Sequence, residues 1–461
     1  MTASKAGRSD AARYKPYPAY KASGVEWLGE IPAHWQVKKV KRLCLVRRGA
    51  SPRPIDDPIY FDDDGECAWV RIADVTASDR YLERTTQRLS ALGKAKSVAL
   101  DPGELFLSIA ATVGKPVITK IKCCIHDGFV YFVGLREDRE YLYYLFSCGE
   151  PYKGLGKQGT QLNLNTDTIG DIFLPLPSGR EQQVIVDFID RETARIDALV
   201  AKNERLIELL HEKRAALITQ AVTKGINPNA PMKDAGVEWL GEIPANWGVK
   251  RLWHLTPTDR RIMYGIVLPG PNVHDGVPIV KGGDVSPGCL RLDRLNRTTV
   301  EIESGHVKSR LRGGDLVFAI RGSIGEVAVV PGELEGANLT QDAARIAYTA
   351  ATHGPWLLQA LKSAGVFAQL EAGALGATIR GINIRDLKRA SIPVPPRPEQ
   401  ATIAAFLDRE TAKVDALVAK ARDAIDHLKE LRTALVSAAV TGKIDVRSTA
   451  IGAAANEGGV P

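Results

Sequence analysis

A ten-residue stretch, GVEWLGEIPA, occurs twice without a difference, at residues 24–33 and again at 236–245. Trp35 and Trp247 follow at matching places, and Lys21 and Lys233 precede. A second pair lies downstream: LPLPSGREQQVIVDFIDRETARIDALVAK at 174–202 answers to IPVPPRPEQATIAAFLDRETAKVDALVAK at 392–420. Self-similarity at a fixed period means two copies of one structural unit, and this outranks any local propensity. Between the anchors the halves diverge over a shared framework. GELFLSIAATVGK at 103–115 resembles GDLVFAIRGSIGE at 314–326, and WVRIADV at 69–75 resembles IVKGGDV at 279–285. GTQLNLN at 159–165 sits where the end of GALGATIRGIN at 373–383 does. Each half therefore reads as a clip, a variable domain and a long helix.

In the variable parts, short β-rich runs (AWVRIADV, ELFLSI, PVITKI, FVYFVGL, DIFLPLP; VPIVKG, DLVFAI, EVAVVP, RIAYTA) alternate with Gly, Pro and Asp breaks. These predict strands of a mixed, twisted sheet, with helical stretches at 141–148 and 355–370. From Glu181 to about Val222, and from Glu399 to about Val440, there is neither Pro nor Gly. Prolines stand just before each run and Gly225 and Gly442 just after, the punctuation of a helix. One heptad seam reads Ile189, Ile196, Asn203, Leu210, Leu217, against Leu407, Val414, Ala421, Leu428, Leu435. Three residues on, Leu199, Leu206 and Lys213 answer to Leu417, Ala424 and Leu431. Apolar residues every seven in so long a helix predict a coiled coil, with Asn203 as a candidate register lock. Folding the second helix back along the first buries both seams, so the helices are expected to run antiparallel. The fold class is α+β (mixed α/β): two similar globular domains joined by two long antiparallel coiled-coil helices, with a pseudo-two-fold internal repeat. The expected segments are a tail at 1–20, domains at 21–178 and 225–396, helices at 179–224 and 397–445, and a disordered tail at 446–461.

The N-terminus lacks the apolar stretch of a secretory signal and no run is long enough to span a bilayer, which points to the cytoplasm and no membrane partner. Six cysteines without C-x-x-C or zinc spacing suggest unpaired thiols, and eight scattered histidines build no ligand cluster, so no metal is expected. A net charge of +7 is compatible with a polyanionic partner without demanding one. No N/D-P-P-Y/F methyltransferase signature and no phosphate-binding loop is present. A two-fold arrangement of unlike domains on a helical ruler matches a bipartite, asymmetric site on duplex DNA. Two alternatives stay open: a structural protein bridging protein partners across the coil, and a nuclease with an unrecognised active site.

The doubled clip, the segments GTQLNLN and GATIRGIN, the P-x-x-x-E-Q helix start and the F-I/L-D-R-E-T-A-x-I/V-D-A-L sequence together resemble the specificity subunit of Type I restriction-modification enzymes. The resemblance covers about residues 16–445. It implies a non-catalytic subunit with two target-recognition domains, holding two adenine methyltransferase (modification) subunits and, with restriction nuclease/translocase subunits, directing restriction. It implies no cofactor in this chain. S-adenosylmethionine would belong to the methyltransferase, which flips the base out, and ATP and Mg to the nuclease.

Base reading needs forked or planar donors on loops, whereas phosphate contact needs only cations, hydroxyls and amides. The expected DNA-binding residues are Arg71, Ser108, Thr112, Lys115, Lys157, Thr160, Gln161 and Asn163 in the first half. In the second they are Arg260, Arg261, Lys281, Arg321, Ser323, Thr378, Arg380 and Asn383. Arg321 and Arg380, which replace Ala110 and Leu162, are the better base readers; Asn165 and Asn383, present in both halves, read as structural. Lys38, Lys39, Lys41, Arg42, Arg47 and Arg48 form a candidate phosphate track. Trp27 and Trp239 read as buried packing residues. Asp190, Arg191 and Glu192, repeated as Asp408, Arg409 and Glu410, are candidates for methyltransferase docking.

Overall fold

Two uninterrupted helices, Gly179–Lys224 and Arg397–Val440, hold 46 and 44 residues; both start where expected, and the second ends five residues before the expected 445. In the computed structural model, which describes residues 14–155, 164–285, 290–372 and 381–447, each helix gives one half to each of two units. The first unit takes residues up to Asn203 and from Asp423 onward; the second takes Glu204–Arg422.

In the first unit, the start of one helix (Ile185, Val186, Ile189, Ile196) shares a core with the end of the other (Leu435, Val436, Ala439, Val440). In the second unit the roles are exchanged, Ile218, Ala221 and Val222 packing with Ile403, Ala404 and Leu407. Within each unit, therefore, the helices run antiparallel, as expected. The second seam differs from expectation. Leu199, Leu206 and Leu417 are 41%, 46% and 50% exposed, and the buried or half-buried positions lie four residues after the first seam, not three: Thr193, Val200, Ile207, Arg214, Ala221, answering to Thr411, Val418, Ile425, Arg432, Ala439. Threonine and arginine in the seam hid it from a search for apolar periodicity. The arginines serve as partners instead: Arg432 reaches Asp197 and Arg214 reaches Asp415, each at 3.3 Å across the helix pair. Such exposed pairs contribute ~1 kcal/mol or less, but the same pair in both units sets one register. Asn203 is no lock, because its side-chain amide donates to Leu199 O of its own helix.

The repeated anchors turn out to be the joint between each domain and its helices. Trp35 and Trp247 are 0% and 1% exposed, whereas Trp27 and Trp239, expected to be the buried pair, are only half-buried. Glu181, at the start of the first helix, accepts from His34 Nε2 (2.9 Å), Tyr17 Oη (3.0 Å) and Trp35 Nε1 (3.1 Å). Its repeat Glu399 accepts from Asn246 at 3.1 Å. Gln182 and Gln400 accept from the backbone N–H of Asp138 and His353, at 3.0 and 2.8 Å, the residues that open the helices Arg139–Ser147 and Gly354–Lys362. The helix ends close the joint from the other side. Lys443 donates to Leu28 O and Glu30 O of the first clip, and Lys224 to Leu240 O and Glu242 O of the second. Gly442 (φ +71°) lies against Pro32 and Trp35, where a Cβ would come within 2.4 Å of the proline, so only glycine ends this helix here. Residues 14–20, expected as part of a tail, are anchored by Tyr17, which is 3% exposed, and by half-buried Tyr14 and Tyr20. Residues 448–461, the bulk of the expected disordered tail, lie outside the described residues.

Each variable domain hangs from a two-stranded ribbon, Gln36–Lys39 with Phe173–Leu176 and Gly248–Arg251 with Ser391–Val394. Beyond it lie two sheets, not one. In the first unit one sheet runs Leu45–Arg48, Phe129–Val133, Leu105–Ser108, Pro116–Thr119, Tyr81–Leu82; the other runs Gln87–Leu89, Cys67–Val70, Cys123–Ile125, Val98–Leu100. The second unit repeats the plan with four and three strands. The expected helix at 355–370 is two, Gly354–Lys362 and Ala364–Ala372. Cys67 and Cys124 are joined in a disulfide, against the expectation of unpaired thiols: parallel neighbouring strands bring residues 57 apart to a Cα separation of 6.1 Å, which no local spacing signals. Cys44, Cys123 and Cys148 are free, and Cys289 lies outside the described residues. Among the described residues no helix is long and apolar enough to cross a membrane.

Leu407→Ala, at a residue 0% exposed, should cost about 2–5 kcal/mol, whereas Leu417→Ala should stay within about 0.5 kcal/mol. Thermal unfolding of the two variants checks this.

Candidate nucleic-acid interface

The loops after Leu105–Ser108 and Leu316–Ala319 share one backbone. Gly114 N donates to Ser108 O and Gly325 N to Ala319 O; Ser108 N donates to Lys115 O and Ala319 N to Glu326 O. Left-handed residues stand at the same places, Ala111 (φ +56°) and Gly114 (φ +85°) in one loop, Gly322 (φ +73°) and Gly325 (φ +88°) in the other. Ala111 holds with a side chain a conformation that costs an L-residue about 1 kcal/mol or more. A ring from the chain beyond each capping helix presses on the second glycine: Tyr152 on Gly114, also donating its hydroxyl to Gly114 O at 2.9 Å, and Phe367 on Gly325. Sequence reading missed these two struts because nothing local links residues about 40 apart. On this common frame the exposed side chain differs, Ala110 in one loop and Arg321 in the other.

Several expected DNA contacts are instead structural. Ser108 is fully buried and its hydroxyl donates to Ala110 O. Lys115 donates to Thr76 O (3.1 Å) and Ser78 O (2.6 Å), closing the end of the helix Ile72–Ala77, and burial pulls its ammonium below the usual lysine range. Thr112 bonds Thr76 at 2.8 Å. Arg260 makes a two-pronged ion pair with buried Asp315, at 2.9 and 2.7 Å. Asn383 caps its helix by accepting from Arg385 N, and Asn165 does so from Thr168 N, the structural role read for both.

Others remain available. Arg321 is 48% exposed and only 3.9 Å from Asp342, and Ser323 is half-buried beside it. Lys281 and Arg71 hold the same position, each with its backbone N–H donating at 2.8 Å to the aspartate three residues on, Asp284 or Asp74. Arg261 is exposed and donates to Thr258 O. Lys157, Thr160, Gln161, Asn163, Thr378 and Arg380 lie outside the described residues.

In the candidate phosphate track, Lys39 and Lys41 both pair with Asp171 (2.8 and 2.7 Å), whose carboxyl their hydrogen bonds pull down to about 2. Arg48 donates to Asp127 O. Lys38, Arg42 and Arg47 are exposed. Asp127, missed in the sequence, gathers Ser51 and Arg53 at 2.8 Å each; burial raises its pKa, but these partners and Arg48 outweigh it and hold it below the usual range. Beside it His126, its pKa lowered by burial, accepts from Gly128 N through Nδ1.

The helix charges are uneven. Asp190 is tied to Arg80 and Tyr144, and Arg80 also reaches Glu140 at 3.1 Å, fastening the domain to the helix. Asp408, its repeat, is exposed. Arg191 lies 3.5 Å from Glu192, and Glu410 gathers Arg409 (3.0 Å) and Lys413 (2.9 Å). Among the described residues no group of three or more His, Cys, Asp or Glu could hold a metal ion.

The family model for the Type I restriction modification DNA specificity domain matches residues 32–209 and 275–426, once in each repeat. The specificity subunit of the Type I restriction enzyme EcoBI from Escherichia coli is 26% identical over 290 residues, 62% of this chain and 61% of that protein. The match thus spans about three fifths of that relative. The putative Type I enzyme MjaX specificity subunit from Methanocaldococcus jannaschii is 22% identical over 445 residues, 91% of this chain and 96% of its own length. Two solved structures share the fold. A chain from work on complex assembly and conformational transition of the type I R-M system has a TM-score of 0.65 at 17% identity, covering 90% of this chain and 99% of its own. The HsdS subunit from Thermoanaerobacter tengcongensis has a TM-score of 0.53 at 18% identity, covering 90% and 98%. With the family model matching both repeats and more than half of all residues, the chain belongs to the Type I restriction modification DNA specificity family.

Proposed function

We propose that this chain is the sequence-reading subunit of a Type I restriction-modification complex. It selects an asymmetric bipartite site on duplex DNA, is itself non-catalytic, and presents that site to two adenine methyltransferase subunits. The observation that carries this reading is the pair of recognition loops with one backbone and unlike exposed side chains, Ala110 against Arg321. A common frame bearing different side chains reads two different sequences through the same approach. Family membership leaves the protein-bridging alternative without support.

The methyltransferase would bring S-adenosylmethionine, and a nuclease/translocase subunit would bring ATP and Mg. The docking surface in each unit combines the helix charges, Arg191 and Glu192 or Asp408, Arg409 and Glu410, with nearby exposed leucines, Leu199 in the first unit and Leu417 in the second. Leucines left out of the seam would be covered by a partner's apolar helix face.

The purified chain alone should neither methylate nor cut duplex DNA; with its methyltransferase and S-adenosylmethionine, adenines at one bipartite sequence should be modified. Methylation or cleavage by the chain alone would refute the assignment. Removing the exposed cations Lys38, Arg42 and Arg47 singly should weaken binding for all sequences alike and reduce the salt slope by about one each if they touch phosphates. Lys115→Met, in contrast, should lower thermal stability by about 1–3 kcal/mol while leaving the sequence preference in place, which sequencing of modified adenines checks. Inserting one heptad at matching levels of both helices adds ~10 Å, so the unspecified spacer should lengthen by about three base pairs. An unchanged spacer would discard the helices as the ruler.

A further inference from the structure

In the first domain, Arg71 is aimed before any DNA arrives. Its Nε donates to Gln87 Oε1 at 2.7 Å, and its guanidinium carbon lies 5.9 Å from the centre of the Phe61 ring. Buried Asp74 fixes both partners from behind: Oδ2 accepts from the Arg71 backbone N–H at 2.8 Å and Oδ1 from that of Thr86, next to Gln87, at 3.2 Å. The ladder does the rest, pairing Trp69 with Gln87 so that Arg71 and Gln87 leave adjacent strands at one edge. The two terminal guanidinium nitrogens have no hydrogen-bond partner in the protein among the described residues.

The surroundings decide what those nitrogens meet. The open pocket at this place is lined by Asp56, Phe61, Asp62 and Asp63 together with Arg71 and Gln87. The three carboxylates in this lining repel a phosphate, whereas a base edge carries no net charge. A forked donor held flat by an amide and a ring matches the two acceptors, O6 and N7, that guanine shows in the major groove.

The second domain carries the same scaffold with other groups. Ile279 pairs with Asn296 as Trp69 pairs with Gln87, and Lys281, two residues on, bonds Asp284 as Arg71 bonds Asp74. The pair is Arg–Gln in one half and Lys–Asn in the other.

We infer that Arg71, positioned by Gln87, reads a guanine in the first half-site, and that the places held by 71 and 87, and by 281 and 296, form the specificity-determining pair of each half. Arg71 would touch the base; Gln87 acts through Arg71 and is a positioning residue. This rests on the DNA-reading function proposed above.

The test is to reconstitute the full chain with its methyltransferase and sequence the modified adenines for the wild type, Arg71→Ala, Arg71→Lys and Gln87→Ala. Thermal unfolding confirms that each variant is folded. Arg71→Ala should lose discrimination at one G·C position of one half-site, roughly ten- to hundredfold, leaving the other half-site unchanged. Arg71→Lys keeps the charge but not the fork, so it should lose most of the same discrimination. Gln87→Ala should blur the same position and no other. An unchanged logo in Arg71→Ala, or an even loss over all sequences in Arg71→Ala that Arg71→Lys fully restores, would overturn the base-reading role. A wild-type complex that methylates without any sequence logo would instead overturn the function on which the inference rests, and the inference with it.

Discussion

The structure depends on how each clip is held between the beginning of one long helix and the end of the other. Glu181 and Lys443 grip the first clip; Glu399 and Lys224 grip the second. The sequence order of the gripping lysine and the terminating glycine is reversed between the copies, Lys224-Gly225 against Gly442-Lys443, yet both lysines reach the same pair of clip carbonyls. The joint thus depends on the lysine's reach, not on its register in the chain. Because each grip needs residues from both helices, a unit cannot be completed by one contiguous half of the sequence, and antiparallel pairing follows from the joint as much as from the apolar seam.

A fixed joint frees what lies beyond it. The loops after Leu105–Ser108 and Leu316–Ala319 keep their hydrogen bonds, left-handed positions and aromatic struts in both copies, while the side chains facing outward change from alanine to arginine. On the proposed function, affinity and specificity are thereby separated. Exposed cations near the ribbons can supply a sequence-independent attraction, and a few aimed donors can carry discrimination.

Repetition made the architecture legible. Two copies of each anchor gave the unit, the Pro and Gly punctuation gave the helices to within about two residues, and antiparallel packing followed from burial. Side-chain roles were far less legible, for a physical reason: a loop cation can be satisfied by solvent, by DNA or by a carbonyl distant in sequence, and only the last needs the fold. Lys115 and Arg260 have such partners, in helix-end carbonyls and in Asp315, and so turned from expected contacts into structural ones. Ser108 failed because it belongs to a strand buried on both faces. The second seam failed because Thr193, Thr411, Arg214 and Arg432 occupy it. The Cys67–Cys124 link and the Arg71–Gln87 contact both run between neighbouring strands, and strand order is not written in any local spacing.

If the joints are equivalent and only the variable domains read DNA, the domains are interchangeable. The most direct measurement is the methylation logo of a complex built on a chimera in which residues 36–176 are replaced by residues 248–394, so that both joints carry the second domain. The account predicts a symmetric target, the second half-site repeated in inverted orientation with the spacer kept. A folded chimera that still selects the original first half-site, or that methylates without any preference, would contradict it.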